Sequence, residues 1–183
     1  KNNQEFYVSI LCLEEIEILS KTDATGGIAY CQKNLVQVST DRRLPQINQK
    51  ELLKQLDREQ KRLQLRAKVA KKRKVLLVNA KNYQKQKQRV LKFCTLKGQQ
   101  KKDFIDQLTI TLVRQFDHLF VEAAPQFEED TSSLFSEADW QHFLQKIRYK
   151  VKWYGKELYY INAEAAEPEK SLLIEQLGRQ KLS

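Results

Sequence analysis

Methionine is absent from the 183 residues, and cysteine, histidine, glycine and proline number only 3, 2, 5 and 3. The cysteines, Cys12, Cys31 and Cys94, form no CxxC pair, and none lies near His118 or His142. Structural zinc takes four Cys or His ligands at short spacings, so no metal is expected. An odd number of thiols without framework spacing reads as reduced, buried cysteines of a cytosolic protein. No apolar run approaches the ~18 residues of a membrane helix. Lys1-Asn2-Asn3-Gln4-Glu5 lacks the apolar stretch of a signal peptide. With no membrane span or signal peptide, no membrane partner and a cytoplasmic location are expected. A chain that opens on Lys1 and contains no Met reads as a piece of something larger. Apolar residues at 41% nevertheless suffice for a core.

Acidic residues are scarce in one place only. Between Lys50 and Lys102 stand 19 Lys and Arg against three acids, Glu51, Asp57 and Glu59. That segment carries +16 of a net +10, which leaves −6 for the rest. Lys-rich helices are often plain solvated faces laced with acids at i,i+4. After Glu59 the lacing acids are missing, and Lys71-Lys72-Arg73-Lys74 repels itself unless an anion lies against it. Polarisation of this kind suits a polyanion. The expected phosphate-binding residues are Lys54, Lys61, Arg62, Arg66, Lys68, Lys71, Lys72, Arg73, Lys74, Lys81, Lys85, Lys101 and Lys102.

Patterning outlines the fold. Phe6 to Leu13 reads as a strand, continued by Glu14 to Ser20 as strand or edge. Asp23 to Gly27 is expected to turn on its glycines, and Gly27–Cys31 with Asn34–Ser39 to form a hairpin. Gln49 to Leu96 has neither Gly nor Pro. Such composition favours helix, with Leu52, Leu56, Leu63 and Ala70 on one narrow apolar face. A wide polar side marks a projecting helix or helical hairpin, turning near Asn79–Asn82 and ending at Gly98. A separate helix is expected over Lys101–Gln115, then a buried strand at Leu119–Glu122. Ser136 with Asp139 reads as a capping box. The helix it opens has Trp140, Phe143, Leu144, Ile147 and Val151 on one face and stops at Gly155. A strand at Glu157–Asn162 and an amphipathic segment at Ser171–Leu177 follow. The order implies a mixed α/β domain.

The motifs, taken in order, resemble the TnpB family. Gly27-Ile28-Ala29, then Lys33-Asn34-Leu35-Val36-Gln37-Val38-Ser39, is similar to that family's opening hairpin, G-I-D followed by an apolar strand and S-D-G. The basic helices stand where the family has a basic helical insertion. Lys102-Asp103-Phe104-Ile105-Asp106-Gln107-Leu108-Thr109 resembles K-D-F-x-H-K-L-S, and Leu119-Phe120-Val121-Glu122 resembles I-V-V-E. Trp140, Phe143, Tyr149-Lys150 and Trp153-Tyr154-Gly155-Lys156 match W-x-x-F…Y-K…W-Y-G-K. The resemblance implies an RNase H-like (RuvC-like) mixed sheet over residues 21–162, with a long basic helical insertion at about 50–98. It makes residues 1–20 the end of a preceding β-barrel-like domain, and 163–183 a C-terminal extension without the family's zinc-binding segment.

The departures bear on activity. Two-ion nucleases hold their metals ~3.5–4 Å apart with a few carboxylates. The family's first catalytic Asp corresponds to Ala29 and its Glu to Glu122. Its last Asp has no counterpart, since the chain runs into Ala163-Glu164-Ala165-Ala166. The resemblance therefore implies a transposon-derived, nuclease-dead, guide-RNA-dependent transcription repressor. Its partners would be a guide RNA and target double-stranded DNA, with no cofactor and no enzymatic activity. Two other readings stay open. One is an active RNA-guided DNA endonuclease using Asp23 and Glu122; the other is a generic basic RNA-binding or coiled-coil protein.

Overall fold

The structure, a computed structural model, describes residues 8–10, 15–40, 42–127 and 134–161. Its elements run β1 (Thr25–Cys31), β2 (Leu35–Val38), α1 (Lys50–Lys72), α2 (Lys81–Gln115), β3 (His118–Glu122), α3 (Glu137–Trp153) and β4 (Glu157–Ile161). The strands form one mixed sheet in the order β2-β1-β3-β4. The β1–β2 hairpin is antiparallel, whereas β1–β3 and β3–β4 are parallel. Each parallel return requires a crossover. One runs through α1 and α2, the other through α3.

Strand alternation divides the side chains into two sets. Ile28, Tyr30, Leu119 and Val121 join Phe104, Leu108, Leu112, Trp140, Phe143 and Ile147 in the main core. Ala29, Phe120 and Ile161 make a second, smaller cluster with Tyr159. Full burial of one large apolar side chain stabilises by ~1.5–3 kcal/mol. The apolar face of α3 therefore anchors it firmly, since Trp140, Phe143 and Ile147 are fully buried.

The ends of α3 follow their local chemistry. Ser136 accepts a bond from the Asp139 amide, and Asp139 accepts one from the Ser136 amide, closing the expected capping box. At the other end Gly155 adopts φ 69°, and the Lys156 amide reaches back to the Val151 carbonyl at 2.9 Å. That six-to-one bond is the Schellman stop a glycine permits.

Several expectations need correction. The turn before β1 does not rest on glycine: Asp23 has φ 53°, and Gly26 and Gly27 lie within the strand. Gly26 is there for space, because a Cβ would come within 2.8–2.9 Å of the Phe116 ring. Gly98 does not end a helix. The second arm and the helix expected at Lys101–Gln115 are one 35-residue helix. Glycine inside a helix costs only ~1 kcal/mol against alanine, and packing at both ends of α2 outweighs that. The connection between the arms spans residues 73–80, earlier than the expected turn. Residues 8–10 and 15–24 carry no strand, and the remainder of the expected 6–13 and 14–20 strands lies outside the described residues. Asn162, Ser171–Leu177 and the rest of the 163–183 extension also lie outside them. Cys31 is half-buried and Cys94 exposed, so the thiols are not uniformly buried.

Candidate nucleic-acid interface and the carboxylate beside it

Helix α1 and the first half of α2 form an antiparallel hairpin that leaves the sheet domain near Gln49 and Lys97. There the Gln49 side-chain amide donates to the Lys97 carbonyl at 3.1 Å. Farther out, Gln86 Nε2 donates to both the Glu59 carbonyl (3.1 Å) and Glu59 Oε2 (2.5 Å). Arg62 also reaches Glu59, at 2.5 Å. The Gln86 bond, then the Arg62 charge and bond, hold the Glu59 carboxyl below its usual range against the opposing effect of burial. Leu56, Ala70 and Val90 are the buried apolar residues of the hairpin seam, with Leu52 and Leu63 half-buried, so the expected face is present and thin. At 1.5 Å per residue, the 23 residues of α1 extend about 34 Å.

All but one of the sequence-derived cations fall into two groups. Lys54, Lys61 and Arg62 are spent on Glu51, Asp57 and Glu59 of their own helix, at 3.0, 2.7 and 2.5 Å. The Lys54 and Lys61 pairs are exposed, of a type that contributes ~0.3–0.5 kcal/mol, and would open readily for a phosphate, whereas the Glu59 partner of Arg62 is buried. Arg66, Lys68, Lys71, Lys72, Arg73, Lys74, Lys81, Lys85 and Lys102 are exposed and make no ion pair with the described residues. Lys101 differs from both. Only 17% of its side chain is exposed, and it is bonded to Asp139 at 2.7 Å, beside the Phe135 ring. Its ammonium fastens α2 to the N-terminus of α3, so Lys101 belongs to the domain body. Arg58, Lys87, Arg89 and Lys92 were not singled out from sequence but are also exposed on the hairpin. The charge count was the signal that could have named them.

The parallel register pairs Ile28 with Val121, which sets Ala29 beside Glu122 on one face of the sheet. Both are buried, at 4% and 1% exposure. Glu122 ends β3, and its Oε2 accepts the Tyr30 amide proton at 3.0 Å. The carboxylate thus sits at the carboxyl end of a parallel strand, where ligands of open α/β sheets bind. Its neighbour across the ladder is a methyl group packed with Phe120 and Ile161. Among the described residues, no three His, Cys, Asp or Glu side chains stand close enough to hold a metal.

Asp23 is at the other end of the sheet. Thr25 pairs with His118, four residues before Glu122. At ~3.3 Å per residue that is ~13 Å, several times the separation of a two-ion site. The Asp23 backbone amide donates to Asp117 Oδ2 at 2.6 Å, which fixes the chain at that end. Asp117 also accepts the Thr22 amide (2.7 Å) and the buried Lys156 ammonium, which donates in turn to the Ser20 carbonyl at 2.7 Å. Burial pushes the Asp117 pKa up, but the Lys156 bond and the two amides outweigh it and hold the carboxyl at about 2. This cluster ties residues 20–23 to the starts of β3 and β4 and has a structural role.

No helix among the described residues is long and apolar enough to cross a membrane. No family model matches the chain, and no curated protein matches it as a relative.

Proposed function

We propose that this protein binds nucleic acid through the basic hairpin and does not cleave it. In its finer form, it is a nuclease-inactive, RNA-guided DNA-binding protein similar to TnpB that acts as a guide-dependent repressor. The observation that carries the proposal is the hairpin, an arm about 34 Å long whose exposed cations outnumber nearby acids and find no acid elsewhere in the described fold. An RNase H-like reading of the sheet is supported by the order β2-β1-β3-β4, with one antiparallel hairpin and two parallel returns. The absence of cleavage is supported by Ala29 beside Glu122 and by the distance of Asp23 from both. One carboxylate facing a methyl group leaves two-ion catalysis without its bridging ligand. Binding and cleavage are separable in guided effectors, because base pairing supplies the sequence recognition.

Sequencing the RNA that copurifies with the protein tests guidance. A discrete structured RNA with a variable end supports it, and a broad mixture of tRNA and rRNA favours the generic basic binder. Incubation of the complex with matched DNA and Mg²⁺ tests the chemistry. No cleavage is expected, and cleavage lost in Asp23→Ala would restore the endonuclease reading.

A further inference from the structure

The hairpin ends in apolar residues that nothing in the described fold covers. Val75, Leu76, Leu77 and Val78 occupy the connection between the arms and are 41%, 72%, 40% and 80% exposed. Four consecutive exposed apolar residues are a design error unless they have a use. The tip is also built rather than loose. The Val75 amide returns to the Ala70 carbonyl (3.0 Å), the Asn79 amide to Leu76 (2.9 Å), and Gln84 Nε2 to Leu77 (2.8 Å). Lys74 holds φ 52° to make the corner. Beside the tip is a cavity of about 560 Å³ with Leu65, Val69, Val75 and Tyr83 in its lining and Arg66 and Arg73 among its cations.

Resting on the nucleic-acid reading above, we infer that this tip is a wedge: Leu76 and Val78 enter the base stack of a bound duplex while the flanking cations hold its phosphates. Apolar side chains inserted between base steps unstack them at a cost of a few kcal/mol, repaid by contacts that the deformed duplex makes. The cations needed for those contacts are adjacent, as Lys71, Lys72, Arg73 and Lys74 precede the apolar tip and Lys81 follows it. The adjoining cavity offers a splayed base an apolar floor and a Tyr83 ring. Charge complementarity selects the occupant. A second copy would set cation against cation. An anionic membrane would meet the tip alone, whereas the exposed cations continue from Lys74 back to Arg66 on α1 and from Lys81 to Lys92 on α2. A column of charge along an arm matches a linear polyanion.

The test uses the full chain with three probes: a DNA duplex, an RNA duplex and an RNA–DNA hybrid, each carrying 2-aminopurine within the stack. The wild type is expected to bind and raise the fluorescence of at least one probe. Leu76→Ser/Val78→Ser, a change confined to exposed residues, is expected to keep the salt dependence of binding and lose the rise. Binding without any rise overturns the wedge and leaves the nucleic-acid reading intact. Failure to bind any of the three probes overturns both. Sedimentation with phosphatidylserine vesicles that depends on Leu76 and Val78, without a fluorescence rise on the duplexes, also overturns the wedge and makes the tip a membrane contact.

Discussion

The sheet domain and the basic hairpin treat charge in opposite ways. In the domain, acids are matched to lysines from other elements. Asp106 of α2 takes Lys146 and Lys150 of α3, Asp139 takes Lys101, and Asp117 takes Lys156. Burial raises the Asp106 and Asp139 pKa values, and the lysine bonds more than reverse that, leaving both below the usual range. In the hairpin, three cations are matched within one helix and the remainder face solvent. Charge inside the domain locks elements together and is consumed in doing so. Beyond those three pairs, the charge on the hairpin locks no elements of the described fold together, which leaves it for a partner.

The largest expected effect separates these two uses. Changing Lys71, Lys72, Arg73 and Lys74 together to Glu should abolish measurable nucleic-acid binding at physiological salt while the circular dichroism and melting curve stay near wild type. A melt that collapses instead would mean that these residues hold the fold. The next experiment addresses the domain. Lys156→Ala leaves Asp117 buried without its ammonium and should cost ~3–5 kcal/mol, read by urea titration. Binding per folded molecule should be unaffected. A loss below ~1 kcal/mol would place the pair among surface bridges.

Acid should weaken the domain through Asp117. The folded Asp117 carboxyl, at about 2, lies below the ordinary 3.8. A depressed folded-state pKa contributes stability that is complete above that ordinary value and lost as pH falls toward about 2. Melting temperature measured across that range should drop in wild type, and Asp117→Asn should flatten the dependence. An unchanged slope in Asp117→Asn would contradict the assignment. The smallest effect belongs to the joint between the regions. A Cβ on Gly98 would meet no neighbour within 4 Å, so Gly98→Ala should stabilise by ~0.5–1 kcal/mol. Destabilisation would show that α2 bends there.

Sequence reading succeeded where the signal was local. The hairpin of β1 and β2, the strand ending at Glu122, and the cap and stop of α3 are each written within a few residues. It failed where partners are remote. Asp117 and Lys156 lie 39 residues apart, and nothing beside either announces a buried pair. Lys101 looked like one more exposed cation because Asp139 is 38 residues away. Gly98 was misread as a terminator because propensity cannot register packing at both ends of a helix. Val75 to Val78 passed as helix interior, since apolar residues in a helical stretch are assumed to have a cover. Ala29 and Glu122 came forward only as what the TnpB resemblance implies; the register that sets them side by side comes from the sheet.

The affinity of the wild-type protein for an RNA–DNA hybrid, measured as a function of salt, tests the central claim most directly. If the hairpin engages ~6–10 phosphates, log Kobs should fall with log[salt] at a slope of about −5 to −9, a loss of ~10³–10⁵ between 50 and 200 mM. The Lys71, Lys72, Arg73 and Lys74 reversal should remove the binding. A shallow slope near −1, or one unchanged by the reversal, would mean that the hairpin is a solvated arm and that nucleic acid is held elsewhere or not at all.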